Sequence, residues 1–449
     1  MMTITVDRLK DWVSKHKVSL IREIFDEYNI VDLALLVDKL EINEILFLMK
    51  VLKRQYSGQL FTYLDNDVKE EVVNAFSSEE IKTVFDNLYS DDIVDFMEEL
   101  PANLVKKILT STSSTIRSQI NELLSYPENS AGSLMSMDFV ELYPNDSVGK
   151  AIGKIKKKGK LVETINYCFV IDEMRNLLGL VRLRDIIFAK NDEVIEDIMD
   201  KDIVSVLTTD DQEEVAKTMG KYDISVLPVV NDQDKLIGII TSDDIIDIIE
   251  EETTEDIQRM AAINPIEESY LNATVWEMSK SRIVWLLILM VSATLSGTII
   301  SGFEDRLTII PLLSASIPLI MSTSGNAGSQ SSIMVTRGIT TDGLSMKDVM
   351  PVLWKELKVG IYCGICVFIA DFVRIMILYR DVDFKINFVL SLTIFLDVVI
   401  AKLIGGILPL IAHYFKQDPA AMAAPVITTL VDAIALIVFF WLSVLILGI

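Results

Sequence analysis

The chain has 449 residues, 51% of them hydrophobic and 24% charged, with a formal net charge of −24. That is too many charges for a chain buried wholly in a membrane, and too many long apolar runs for a wholly soluble one. Residues 281–449 hold 11 acidic and 11 basic side chains, so the entire excess lies in residues 1–280. A region this acidic argues against nucleic-acid binding, which rests on basic patches, and favours cations as partners. Solubility alone is the plainer reading of the same charge.

The N-terminus MMTITVDRLKDWVSKHK has no apolar signal region, so residues 1–280 are expected in the cytoplasm. Two histidines, His16 and His413, leave neither a His-rich zinc site nor a His-based catalytic triad. Cys363 and Cys366 form C-x-x-C among small apolar residues and read as packing. No phosphate-binding G-x-x-x-x-G-K-[ST] run occurs, and nothing points to an enzyme.

Residues 1–128 read as short amphipathic helices in weak repeats, which predicts a small all-helical solenoid. Asp91, Asp95 and Glu98 fall on one helix face, with Asp92, Asp95 and Glu99 beside them; the plainer reading is a solvated face. Residues 129–195 and 196–252 then repeat an α/β pattern. Met135 aligns with Met199 and Gly179 with Gly238, with the difference in spacing falling in the basic stretch KKKGKLVETI. The repeat resembles a tandem pair of CBS domains. The motif G-x-x-T-x-x-D stands as Gly238, Thr241 and Asp244 in the second copy, whereas the first keeps Gly179 and Asp185 but has Arg182 for the threonine. The resemblance implies an adenine nucleotide such as ATP near Thr241, Asp244 and Asp185, as a regulator.

Thr241–Asp256 has eight acidic residues and no basic one. Asp244, Asp247, Glu251 and Glu255 share a helix face, where like charges repel. Divalent cations with hard oxygen ligands would offset that repulsion. A helix over 253–281 is expected to link this segment to a membrane part, residues 282–449, with five spans. Cation placement between the spans puts the N-terminus inside and the C-terminus outside.

The second span carries PLIMSTSGNAGSQSS, hydroxyls and amides too costly to face lipid; Gly325 and Gly328 suggest close backbone approach or local unwinding. The last span carries AAMAAPVITTLVD, with Asp432 as its single charge. A lone carboxylate at that depth marks a site, or else pairs with a buried cation such as Lys402. These stretches, with IIDIIEEETTEDI, look like the MgtE family of magnesium transporters, and the resemblance covers essentially the whole chain. It implies a homodimer in the cell membrane, with a pore on the two-fold axis. Asp432, Asn326, Thr428 and Ala424 would meet Mg²⁺; the family usually has Gly where Ala424 stands. It further implies closure by cytosolic Mg²⁺ at Asp91, Asp95, Glu98, Asp223, Asp247, Glu251 and Glu255. Another divalent cargo such as Co²⁺, or a non-conducting membrane sensor, are the rival readings.

Overall fold

A computed structural model describes residues 4–98, 100–159, 161–266, 270–271, 273–304, 309–420 and 425–448. The chain divides into two compact units, Met1–Ile249 and Glu250–Ile449.

The first unit begins with helices of eight to ten residues between Val6 and Leu123. Polar N-caps fix where several of them begin: Asn29 accepts from the Val31 amide, and Ser77 with Glu80 forms a reciprocal capping box. Each buries one apolar stripe, and Phe61, Phe85 and Phe96 meet with ring centroids 5.0 to 6.3 Å apart. The last helix that matters here is α1, Ser90–Glu98.

Two three-stranded sheets follow. In the first, β1 (Val140–Leu142) pairs in parallel with β2 (Tyr167–Ile171), which pairs antiparallel with β3 (Leu177–Arg182). The second repeats this as β4 (Val206–Leu207), β5 (Val226–Val230) and β6 (Leu236–Thr241). The sequence repeat has a physical cause. A Cβ on Gly238 would sit 2.6 Å from the Met135 sulfur, and one on Gly179 would sit 2.8 Å from the Met199 sulfur. Each copy's glycine thus receives the other copy's methionine. The basic run Lys156–Lys158 closes the helix Val148–Lys158 rather than forming loop, favourably placed at the negative end of the helix dipole.

Helix α2, Ser242–Met260, continues from β6 through the point where the units divide. No single helix covers 253–281: α2 ends at Met260, and α3, Val275–Ser301, starts anew with a capping box of Thr274 and Glu277. The break follows from the left-handed backbone at Ala262 and the proline at 265.

The second unit continues with α4 (Pro311–Asp342), α5 (Val349–Leu378), α6 (Phe384–Tyr414) and α7 (Pro425–Leu442). The helices around α3, α5, α6 and α7 are long and apolar enough to cross a membrane. Helix α4 is as long, at 32 residues, but its polar patch keeps it from qualifying by composition. It is continuous, so Gly325 and Gly328 do not unwind it. Arg374 pairs with Asp371 at 2.7 Å, as an i, i+3 spacing allows. Cys363 and Cys366 are exposed on α5 instead of packed within the subunit.

Candidate functional site in the membrane unit and an acidic cluster

Small residues set the geometry of the membrane unit. A Cβ on Gly328 would lie 2.9 Å from Ile427 Cγ2 and 3.2 Å from Val431 Cγ2, and one on Gly405 would fall on the Gly328 carbonyl oxygen. Helix α4 is therefore held backbone-close to both α6 and α7. One turn away, a Cβ on Gly325 would meet Thr428 Cγ2 at 3.3 Å and Asp432 Oδ1 at 3.5 Å. The two polar patches that the sequence separates by about a hundred residues thus meet at one level.

The polar patch of α4 has two faces. Ser324 is buried and turns its hydroxyl back to the Ile320 carbonyl at 2.7 Å. Ser331 is also buried and donates to Glu356 Oε2 at 2.5 Å, while Lys402 Nζ reaches Ser331 Oγ at 3.4 Å. Lys402 therefore serves this three-helix network, and no ion pair with Asp432 is found among the described residues. Glu356 had no sequence signal of its own, being one acid among lysines.

The other face carries Ser322, Asn326 and Gln330 at i, i+4 and i+8, all exposed on the single subunit. Asp432 is half-buried, and its Oδ1 accepts no hydrogen bond among the described residues. Thr428 and Thr429 are half-buried beside it. Ala424 lies outside the described residues. An exposed row of hydroxyl and amide groups on a membrane-length helix requires water or a second protein surface.

The first unit gathers carboxylates. The Ser90 amide donates to Asp138 Oδ2 at 3.0 Å, and the Met137 amide donates to Ser90 Oγ at 2.9 Å. These bonds press the first turn of α1 against the first α/β repeat, where the Glu163 amide donates to the Asp138 carbonyl at 2.8 Å. Asp91, Asp92, Asp138, Glu163, Asp243 and Asp244 converge there, close enough to act on one another's charge. Burial pushes Glu163 up to about 8, helped by Asp244, Asp92, Asp243 and Asp138. Burial pushes Asp92 up to about 6, with Asp244 the next cause, and holds Asp91 well above the usual carboxylate range, with Glu163 next. Asp91 Oδ1 and Glu163 Oε2 are buried without hydrogen-bond partners among the described residues. No group of three acidic, histidine or cysteine side chains among the described residues is arranged as a finished metal cage.

The expected regulatory residues divide accordingly. Asp91 lies in this cluster, and Asp247 acts on it through Asp244. Asp95 and Glu98 are exposed, Asp95 lining a cavity of about 220 Å³ with Asp92, Lys69 and Phe96. Asp223 is instead an exposed helix C-cap with left-handed backbone, φ 53°. Glu251 is exposed, and Glu255 is already ion-paired with Arg259. Glu99 lies outside the described residues. Neither Glu163, which sits in the loop that separates the two repeats' spacings, nor Asp138 stands out from its sequence neighbours.

Family comparisons agree with this arrangement along the chain. The model of a divalent cation transporter family, MgtE, matches residues 317–442, that of the MgtE intracellular N domain matches 28–129, and CBS models match 131–192 and 195–251. The chain belongs to the MgtE family. It is 28% identical to the magnesium transporter MgtE of Bacillus subtilis, covering 92% of this chain and 93% of that one. It is 29% identical to that of Thermus thermophilus, with 93% of each covered. Among solved structures, the soluble part of a magnesium transporter matches with TM-score 0.52 and 30% identity over 55% of this chain and 97% of that one. The cytosolic domain of the Mg²⁺ channel MgtE in complex with ATP matches with TM-score 0.51 and 28% identity over 54% and 99%.

In this MgtE-family chain, Thr241 Oγ1 lies 2.7 Å from Asp244 Oδ2 and 2.5 Å from Asp243 Oδ1. Asp244 thus belongs at once to the G-x-x-T-x-x-D motif and to the acidic cluster. In the first repeat Arg182 only begins a helix, and Asp185 sits 3.4 Å from Arg184. In the second unit Arg259, at the end of α2, also pairs with Asp418 at 2.7 Å, in the segment that leads into α7.

Proposed function

We propose that this MgtE-family protein is a Mg²⁺-selective channel that admits magnesium down its electrochemical gradient and closes when cytosolic Mg²⁺ is high. The observation that carries the reading is the exposed row Ser322, Asn326, Gln330 beside Asp432. A second copy facing that row across a two-fold axis would enclose a path lined by oxygens and two carboxylates. Mg²⁺ keeps much of its hydration shell, so Asp432, Asn326 and Thr428 would hold it through water, with Ala424 completing the site. An inside-negative potential favours entry by about 2.3 kcal/mol per charge per 100 mV, so no ATP hydrolysis is needed. The chain would lie in the plasma membrane with the acidic unit in the cytoplasm and the C-terminus outside, divided at 1–128, 129–195, 196–252, 253–281 and 282–449.

Gating falls to the carboxylates outside the spans. With no cation present, Asp91, Asp92, Glu163 and Asp244 repel, which loosens α1 from the α/β repeats. Mg²⁺ bound between them would restore the contact and favour closure, with Asp95, Glu98, Asp247 and Glu251 as further ligands. The resemblance to an MgtE domain solved with ATP supports a regulatory nucleotide, which Thr241, Asp244 and Asp185 would hold. Flux into liposomes with competing Mg²⁺, Co²⁺ and Ca²⁺ tests the reading. Asp432→Ala must abolish Mg²⁺ entry; unchanged entry would sink the pore assignment. Currents that never exceed leak at low internal Mg²⁺ would favour a sensor.

A further inference from the structure

Asp397 belongs to none of the networks described above. It lies midway along α6, is 1% exposed, and neither carboxylate oxygen has a hydrogen-bond partner among the described residues. A charged group so enclosed is costly, and a spanning helix keeps one for a use.

Of the charged side chains on the surrounding helices, Lys355 and Lys358 of α5 and Lys385 of α6 are exposed, and the more buried ones contact other groups. On α5, Glu356 accepts from Ser331, and Asp371 pairs with Arg374 and accepts from Ser391. On α6 itself, Lys402 reaches Ser331. On α7, Asp432 lies against Gly325. On α4 the charges are Arg337 and Asp342, towards its far end.

Depth follows from the packing. Leu313, Ile317 and Ile320 of α4 share a core with Leu390 and Ile394 of α6, and Val335 and Ile339 share one with Leu410, so the two helices run parallel. Between these points a Cβ on Gly328 would meet the Ala401 carbonyl at 3.4 Å. One turn back along each helix, Asp397 is level with Ser324 and hence with the Gly325–Asp432 contact. The membrane unit therefore holds two carboxylates at one depth, Asp432 half-buried and Asp397 enclosed.

A metal ion would need several oxygens around it. The hydroxyls at this level donate along their own helices, Ser324 to Ile320 and Thr393 to Val389, both within 2.8 Å. A proton needs no ligand beyond the carboxylate. We propose that Asp397 is a proton-binding site of the membrane unit, separate from the ion site at Asp432, and that its proton exchanges only when α4 and α6 part. In the packed state Gly328 and Gly405 bring the two backbones together and Asp397 is all but excluded from solvent. The protonated carboxyl fits the packed helices, and the carboxylate favours the parted, hydrated arrangement. Raising the pH therefore promotes opening. That last consequence rests on the conduction reading; the proton site does not.

The test uses the full chain in liposomes. The infrared difference between the wild type and Asp397→Asn should show a protonated-carboxyl C=O stretch that shifts in heavy water, over the bands that Glu163 and its neighbours leave in both proteins. Should that variant not fold, Asp397→Glu keeps the carboxyl and must move the band. Mg²⁺ flux should rise more steeply, by several-fold, from acidic to alkaline buffer in the wild type than in Asp397→Asn, which keeps only the pH response of the cytoplasmic carboxylates. A band with no flux in either protein keeps the proton site and defeats the conduction reading. A difference spectrum without that band, or thermal stabilisation by Na⁺ that Asp397→Asn abolishes, would overturn the proposal.

Discussion

Replacing Glu163 by glutamine removes a carboxylate that its surroundings strongly resist ionising. Burial and four neighbouring acids hold it protonated from an ordinary 4.5 up to about 8. Its folded value is raised, so the folded chain binds the extra proton between those limits, and stability falls as pH rises through that window. Ionising such a group would cost roughly 5 kcal/mol at about 1.4 kcal/mol per pH decade. The side chain is only partly buried and its charge acts on Asp91 and is acted on by Asp92, so about 2 kcal/mol is the figure to expect after screening. For a unit of this size that is a rise in Tm of roughly 4 to 8 °C for Glu163→Gln near the top of the window. Near pH 4.5 the two proteins should melt together, because both carry a neutral side chain there. Millimolar Mg²⁺ at high pH should stabilise the wild type more than the variant, since the cation replaces the missing proton. Scanning calorimetry across pH, with and without Mg²⁺, reads all of this. A variant that melts with or below the wild type at high pH, or a gain that persists at low pH, would refute the electrostatic account of the cluster.

Other outcomes follow from the same packing. Asp432→Asn should lower Mg²⁺ flux at least about tenfold while leaving the melting temperature nearly unchanged, because the side chain is half-buried and Oδ1 has no partner to lose. Gly405→Ala should destabilise the membrane unit by about 1–3 kcal/mol, since its methyl would occupy the Gly328 carbonyl, and thermal stability in detergent measures this. Ser331→Ala should leave Lys402 and Glu356 without their shared hydroxyl and cost about 1–3 kcal/mol by the same assay. Arg259→Gln breaks the pairs to Glu255 and Asp418; flux should keep its size but lose sensitivity to internal Mg²⁺, and an unchanged Mg²⁺ response would exclude this link from gating.

Much of this protein is written locally. The two α/β repeats follow from period-two apolar strands and matched Met and Gly positions, because each glycine must admit the other copy's methionine. The short N-terminal helices follow from caps and apolar stripes, and the spans from long uncharged runs. Asp432 stands out in the sequence because one charge in a spanning helix needs a polar path or a buried cation beside it. What the sequence could not decide was which polar groups face each other. Glu163 and Asp138 look like ordinary loop acids until backbone bonds bring them against α1. Asp223 fits an acidic site by type, but its backbone makes it a cap. Lys402 and Asp397 are only five positions apart, yet helical periodicity points them to different sides, so one joins Ser331 and the other stays enclosed and alone. Burial and charge proximity are properties of the assembled helices and sheets. A linear chain fixes which residues can carry charge, and only tertiary packing decides which of those charges are desolvated together.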